Sequence, residues 1–313
     1  MDRKLTRREM MAVGALGIAG VAARGGAVSE GDGRRKAMSL SLNSSVIRPT
    51  PLERKVRIAA EMGYDGIELW DDELERYQGE GHSLTDLGHR IRDLGLFVPN
   101  IIGLWDCMPP EESQRASAVE VAKRRMERGV AVGARCIAAI PAPDREDIGI
   151  EWAAERYREL LEVGREMGIR VAVEFVGFLR GVHRLGMATA IAIEADDPDA
   201  CLVCDTFHLY RGGSGFRGIR QLRGSFLAVC HFNDVPAFPP QERLADSDRI
   251  MPGDGILPLV RFVRDLWDIG FTGPLSLETF HREHWSRDPR SVAREGIRKV
   301  RAVLDAARAD GHA

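Results

Sequence analysis

Short apolar runs alternate with amphipathic stretches along the chain from residue 38 onward. The predicted strands are Met38–Asn43, Gly66–Trp70, Phe97–Ile101, Cys136–Ile140, Arg170–Phe175, Cys201–Asp205, Leu227–Phe232 and Pro274–Thr279. Between them the apolar residues recur at helical spacing, which predicts helices over Leu52–Met62, Leu84–Leu94, Glu112–Val132, Glu151–Met167, Gly186–Glu194, Leu259–Ile269 and Ser291–Ala309. This alternation predicts a parallel sheet, which right-handed crossovers either close into a barrel or leave open and doubly wound.

Five glycines mark the ends of predicted helices. Gly63, Gly95, Gly133, Gly168 and Gly270 each follow a helical pattern and precede a strand by a few residues. Glycine is the residue that most often ends a helix, because it adopts the left-handed conformation at little cost. These positions therefore support the predicted boundaries.

The length and the charge of the chain narrow the fold and the partners. The sequence has 313 residues, and an eight-stranded α/β barrel needs about 250. We therefore predict an α/β protein whose single domain, residues 38–313, is a (β/α)8 TIM barrel behind an N-terminal signal-like extension. The net charge is −3, without a block of Lys and Arg, so no nucleic-acid partner is expected.

The first 37 residues differ from the rest. Arg7 and Arg8 precede an apolar run from Met10 to Ala23, which resembles a twin-arginine export signal. Residues 24–37 are rich in Gly and Arg and are typical of a linker. Export would place the protein in the periplasm or outside the cell; an Ala-rich extension of a cytoplasmic protein is the alternative. No other segment is apolar over a length that spans a membrane.

The five cysteines do not suggest disulfide or redox chemistry. Cys201 and Cys204 form a Cys-x-x-Cys, but both lie in one predicted strand. Side chains three residues apart on a strand point to opposite faces. We expect ordinary buried residues at both positions.

Four consecutive predicted strands terminate in a residue that can bind a metal. The strands that contain Val173, Cys204, Cys230 and Leu277 continue directly into Glu174, Asp205, His231 and Glu278. The carboxyl ends of barrel strands meet at one rim, where the active sites of such barrels lie. Three carboxylates in one place repel each other unless a cation neutralises them. Three oxygen ligands and one imidazole suit one divalent ion, namely Mn²⁺, Mg²⁺, Co²⁺ or Zn²⁺.

Further polar and aromatic residues lie near the same predicted rim. Substrate contacts are expected from residues at other strand ends and in the long loop before the last helices: His208, Arg249, Glu68 and Trp70. Asn233 and Asp234 follow His231 directly and could fix the orientation of its ring. Each of these also has a structural reading, such as core packing for Trp70 or a surface turn around Arg249.

The second half of the chain resembles the xylose-isomerase-like barrel superfamily of sugar isomerases and epimerases, and within it the inosose isomerases. The matching stretches are Val173–Gly177, Asp205–His208, His231–Asp234, Asp248–Gly255 and Leu275–Phe280. The resemblance implies that Glu174, Asp205, His231 and Glu278 hold the metal. It also implies that Glu174 and Glu278 act as acid and base, and that His208 and Arg249 approach substrate oxygens.

The expected reaction is proton transfer next to a carbonyl through an enediolate, on a small sugar or cyclitol. Three alternatives remain. A lyase would use the same metal and bases to expel a β-hydroxyl group. A DNA-repair endonuclease of the superfamily would carry a multi-metal cluster with additional histidines. A non-catalytic sugar-binding barrel would bind its ligand without an acid and base pair. Whether the chain forms a homo-oligomer is left open by the sequence.

Overall fold

The computed structural model of the protein describes residues 38–143 and 145–309. The predicted signal and linker, residues 1–37, lie outside the described residues. Among the residues that it does describe, no helix combines the length and the apolar character needed to cross a bilayer.

Eight parallel strands form a closed barrel. The strands are β1 (Leu40–Asn43), β2 (Gly66–Trp70), β3 (Ile101–Leu104), β4 (Cys136–Ala139), β5 (Arg170–Glu174), β6 (Cys201–Asp205), β7 (Leu227–Phe232) and β8 (Leu275–Leu277). Each strand pairs with its neighbour in sequence, and β1 pairs with β8 through Ser41 and Ser276. The predicted (β/α)8 barrel is thereby confirmed, and the open doubly wound sheet is excluded.

Helices follow the strands and pack on the outside of the barrel. They are α1 (Leu52–Glu61), α2 (Asp71–Gly79), α3 (Leu84–Asp93), α4 (Arg115–Ala131), α5 (Ile150–Met167), α6 (Leu185–Glu194), α7 (Thr206–Arg211), α8 (Leu259–Asp268), α9 (Arg282–Ser286) and α10 (Pro289–Ala309). Helix α8 buries Leu259, Phe262, Val263 and Leu266, the i, i+3, i+4, i+7 stripe of an amphipathic helix. The prediction did not include α7 and α9, which have only six and five residues, or α2, whose sequence is mostly charged and offers only Leu74 and Tyr77 as buried apolar residues.

The barrel interior has an apolar layer below its polar rim. That layer consists of Ile102, Cys136, Ala138, Ala172, Cys201, Val203 and Val229. Ala172, Val203 and Val229 lie two residues before Glu174, Asp205 and His231, so strand alternation places them on the same face as these polar residues. Cys201 packs inside the barrel and Cys204 packs outside it, and both are free and buried. The expectation for the Cys-x-x-Cys is confirmed.

The third strand begins four residues later than predicted. Phe97 and Val98 make only isolated bridges, to Gly66 and Ala134, and the regular strand starts at Ile101. Pro99 lies between them, and a proline has no backbone N–H with which to continue the ladder. This interruption leaves the buried Asn100 directly before the strand.

The glycines at the helix ends provide a test of backbone conformation. Gly168 ends α5 with φ at +77°, whereas Gly186 lies within α6, and an added Cβ would meet nothing within 4 Å at either position. We expect Gly168→Ala to lower the free energy of unfolding by about 1 kcal/mol, because the left-handed conformation is costly for alanine. Gly186→Ala should raise it by about 0.5 kcal/mol, because glycine weakens helices. Urea unfolding measures both; equal effects would contradict the conformational argument.

Candidate active site

Four polar side chains meet at the carboxyl end of the barrel. Glu174 and Asp205 are the last residues of β5 and β6, His231 lies near the end of β7, and Glu278 directly follows β8. All four are at least 96% buried, with Glu174 the most accessible at 4%. Asp205 also caps α7, since its Oδ1 accepts hydrogen bonds from the backbone N–H groups of Phe207 and His208. The structure therefore brings together all four residues predicted as metal ligands.

The imidazole of His231 lies at the centre of this group. Its Nδ1 is 3.3 Å from Glu174 Oε1, 3.3 Å from Glu278 Oε2 and 3.6 Å from Asp205 Oδ2. Although buried, this nitrogen makes no hydrogen bond of acceptable geometry. Ligand atoms of Glu174, Asp205 and His231 all lie within 4.8 Å of one another. A buried nitrogen that faces three carboxylates without a partner fits a ligand of a shared cation.

Burial and neighbouring charges shift the pKa values of these groups in opposite directions. Burial raises the pKa of Glu174 and raises that of Glu278 well above its ordinary value. Burial also opposes ionisation of Asp205, but Arg249, His208 and His231 together outweigh it and hold the pKa of Asp205 well below its usual range. Without further positive charge, the three carboxylates cannot all ionise cheaply. A divalent cation would supply the missing charge, so the group fits the predicted metal.

Arg249 reaches into the same group. Its Nη1 donates to Asp205 Oδ2 and lies 2.9 Å from Glu278 Oε2, and its Nη2 lies 2.7 Å from Asp246. Nη2 is also 3.1 Å from Nε2 of His208, whose Nδ1 accepts the N–H of Gly177. Arg249 and His208 thus lie at the rim as predicted. In this structure their polar atoms contact one another and the carboxylates.

Aromatic residues enclose the space above these groups. A cavity of about 30 Å³ is lined by Trp70, Ile102, Trp105, Glu174, Val176, Phe178, His208, Asp246, Arg249, Glu278 and Phe280. Trp70 was predicted here, whereas Trp105, Phe178 and Phe280 were not.

Glu68, which was predicted to contact the substrate, is not among the residues that line this cavity. It is fully buried in the barrel. Its Oε1 lies 2.9 Å from His231 Nε2 and accepts from Asn100, and its Oε2 accepts from Asn43 and Ser276. With both oxygens bonded to protein groups, Glu68 has no free acceptor for a ligand.

The two residues after His231 have other partners than the predicted ones. Asn233 donates to Asp205 and exchanges hydrogen bonds with Thr206. Asp234 accepts the backbone N–H groups of Val235, Gly253, Gly255 and Leu257. Among the described residues, the hydrogen bonds of Asn233 and Asp234 do not reach the His231 ring. Asp234 instead anchors the loop that carries Arg249, and Glu68 bonds the ring.

Asn43, Asn100 and Ser276 were not predicted as site residues. Asn43 ends β1 in the same way as Asp205 ends β6, so the strand-end rule applies to it as well. Its Nδ2 donates to Glu68 and to Glu278, 3.0 Å away, and its Oδ1 accepts from the indole of Trp70. Asn100 was missed because the prediction placed it inside the third strand, which begins only at Ile101.

A family model described as "Xylose isomerase-like TIM barrel" matches residues 56–303. The chain belongs to this family. The match runs from within α1 to within α10, so it includes β2 to β8 and all four strand-end residues.

Relatives within the family carry different activities. An inosose isomerase of Bacillus velezensis is 27% identical over 281 residues, covering 86% of this chain and 96% of that protein. A 3-dehydroshikimate dehydratase of Pseudomonas aeruginosa is 25% identical over 80% of this chain, which spans 39% of that protein. The solved structure of a zinc-bound IOLI protein is 25% identical, with a TM-score of 0.79 over 85% of this chain and 98% of its own.

The carboxylate of Asp234 can be tested as the anchor of the Arg249 loop. An added Cβ at Gly255 would lie 2.4 Å from Asp234 Oδ1, so loop and carboxylate are in close contact. In Asp234→Asn the amide N–H₂ would face the donors of Gly253 and Gly255. We expect a loss of about 1–3 kcal/mol in unfolding free energy and faster proteolysis within the loop. Asp248→Asn is the control, because Asp248 accepts a single backbone N–H there; an equal loss in both variants would exclude the anchoring role.

Proposed function

We propose that the protein is a divalent-metal-dependent isomerase or epimerase that moves a proton next to the carbonyl of a small ketose or cyclitol ketone. The observation that carries this proposal is the approach of three buried carboxylates to the unpartnered Nδ1 of His231. Relatives named inosose isomerase, which match this chain over nearly their full length, support the same class of reaction. The substrate itself is proposed as an inosose-like ring ketone.

Glu174, Asp205, His231 and Glu278 would hold one metal ion, of which Mn²⁺, Mg²⁺, Co²⁺ and Zn²⁺ all suit this donor set. When bound, the ion would polarise a substrate carbonyl as a Lewis acid. The zinc in the related IOLI structure supports such a site. Buried carboxylates that need a cation to ionise would also make metal binding and catalytic competence interdependent.

Glu174 and Glu278 are the proposed acid and base. They lie on β5 and directly after β8, strands on opposite sides of β7 in the barrel, and each has an oxygen 3.3 Å from His231 Nδ1. One carboxylate would take the proton from the carbon next to the carbonyl, and the C–H electron pair would move into an enediolate. The other would return a proton to the neighbouring carbon or to the opposite face. The aromatic walls would keep bulk water away from this exchange.

A lyase is the second candidate, favoured by the dehydratase relative that matches 80% of this chain. The same base would remove the proton next to the carbonyl, and a β-hydroxyl group would then leave as water with a proton from the acid. The product would be an unsaturated ketone instead of an isomer. Product analysis by mass distinguishes the two, since the lyase product is lighter by one water molecule.

The proposal is tested by incubating metal-loaded protein in heavy water with a panel of inososes and ketohexoses. We expect one substrate to take up deuterium at the carbon next to its carbonyl, measured by proton NMR and mass spectrometry. Chelation should stop the exchange, and added metal should restore it. Ligand binding without any exchange, for every member of the panel and every metal, would contradict the proposed chemistry and favour a binding protein.

The acid and base are tested on the substrate found in that screen. We expect Glu174→Gln and Glu278→Gln each to lower turnover by about 10²–10⁴-fold, because an amide cannot accept the proton, while circular dichroism stays unchanged. Glu283→Gln removes an exposed glutamate on α9 and should leave turnover unchanged. Near-normal turnover in either active-site variant would remove that residue from the mechanism.

A further inference from the structure

The carboxylate of Glu68 is surrounded by hydrogen-bond donors only. Oε1 accepts from the Asn100 amide at 2.8 Å and faces His231 Nε2 at 2.9 Å. Oε2 accepts from the Asn43 amide at 2.9 Å and from the Ser276 hydroxyl. A glutamate that is completely buried must satisfy its oxygens within the protein. These donors come from β1, β7, β8 and the segment before β3, so segments from both ends of the barrel sequence surround Glu68.

This arrangement decides which nitrogen of His231 carries hydrogen. A carboxylate only accepts hydrogen bonds, and His231 Nε2 lies at hydrogen-bond distance from Glu68, whereas Nδ1 has no hydrogen-bond partner. A ring that carries a single hydrogen therefore holds it on Nε2 and has its lone pair on Nδ1, as metal binding through Nδ1 requires. Nδ1 is also the nitrogen that points at Glu174, Asp205 and Glu278. Metal-bound histidines commonly donate their other N–H to a carboxylate in this way.

Glu68 is also linked to the proposed acid and base. The amide nitrogen of Asn43 donates both to Glu68 Oε2 and to Glu278 Oε1, at 2.9 and 3.0 Å. The carbonyl oxygen of the same side chain accepts from Trp70 in the cavity wall. Rotation of Glu68 would therefore disturb the orientation of both His231 and Glu278. Glu68 does not reach the cavity itself, so it can affect a ligand only through these neighbours.

We infer that Glu68 is a positioning residue that holds His231 in the Nε2–H form, so that Nδ1 is the metal ligand. This inference rests on the metal site of the proposed function, but it does not depend on the substrate or on the reaction. It assigns to Glu68 a role at the metal instead of at the sugar. It also explains why an acidic residue is tolerated at a position without access to solvent.

The first test uses the unaltered protein with zinc and ¹⁵N-labelled histidine. Long-range ¹H–¹⁵N spectra distinguish a protonated ring nitrogen, a bare one and a zinc-bound one, and the His231→Asn protein identifies the His231 signals. We expect Nε2 to be protonated and Nδ1 to shift when zinc is added. Zinc on Nε2, or a ring protonated only on Nδ1, would overturn the inference without the need for any Glu68 variant.

The second test compares zinc affinity in Glu68→Gln and Asp265→Asn by competition with a chromophoric chelator. The glutamine amide would place N–H groups against the donors of Asn43 or His231, so the ring loses its orientation. We expect zinc affinity to fall by about 10–100-fold, with rescue of part of this loss in Glu68→Asp. Asp265 is buried on the outer helix α8, bonded to Arg261 and paired with Arg220, and its variant should retain wild-type affinity.

The outcomes separate this inference from the proposed function. Unchanged zinc affinity in Glu68→Gln would overturn the positioning role, even if deuterium exchange succeeds. An equal loss in Asp265→Asn would mean that general destabilisation causes the effect, and would overturn it too. A third outcome is that no substrate takes up deuterium, whereas Glu68→Gln, and not Asp265→Asn, lowers zinc affinity and changes the His231 spectrum. In that case the positioning role stands and the proposed reaction fails. If Glu68→Gln does not fold, the spectrum of the unaltered protein decides.

Discussion

Three carboxylates share a space that excludes water at the mouth of this barrel, and their mutual repulsion is the constraint on which the rest of the site depends. Glu174, Asp205 and Glu278 are buried, and each has an oxygen 3.3–3.6 Å from Nδ1 of one imidazole. Like charges in such a setting require positive charge nearby. Arg249 supplies part of it through Asp205 and Glu278. A divalent cation would supply the rest, so the acidic cluster is costly for an empty barrel and suitable for a metal enzyme.

The polar groups form two levels. At the upper level, the carboxylates of Glu174 and Glu278 border the aromatic cavity and can reach a ligand. One level deeper, amide and hydroxyl groups of Asn43, Asn100 and Ser276 donate to both oxygens of Glu68. His231 connects the levels, with Nε2 toward Glu68 and Nδ1 toward the mouth. The lower level has no contact with the cavity, so its contribution is to keep the upper groups in one arrangement.

Much of the fold and the four strand-end residues could be predicted, because both depend on local pattern. Alternation along each strand decides which side chains face inward, and chain order brings consecutive strand ends together. The partners of Glu68 could not be predicted in this way, since His231 lies 163 residues away and Ser276 lies 208 away. The prediction for Asp234 failed for a related reason. Its position close to His231 in the sequence does not determine where its side chain points, and its carboxylate accepts a hydrogen bond from the loop at Gly253. The start of β3 was also predicted wrongly, because Pro99 has no backbone N–H to continue the ladder. The spacing of apolar residues does not reveal such an interruption.

The hydrogen bonds around Glu68 cross the seam where the two ends of the barrel meet. Asn43 belongs to the first strand and Ser276 to the last, and these two strands are themselves paired. A chain that has formed only its first six strands would possess Glu68, Glu174 and Asp205 but would lack the imidazole of His231 and the hydroxyl of Ser276. High-affinity ion capture would thus be available only to the completed ring. Ion uptake during refolding would then report the final closure step, and the bound ion would in turn stabilise the closed barrel against reopening.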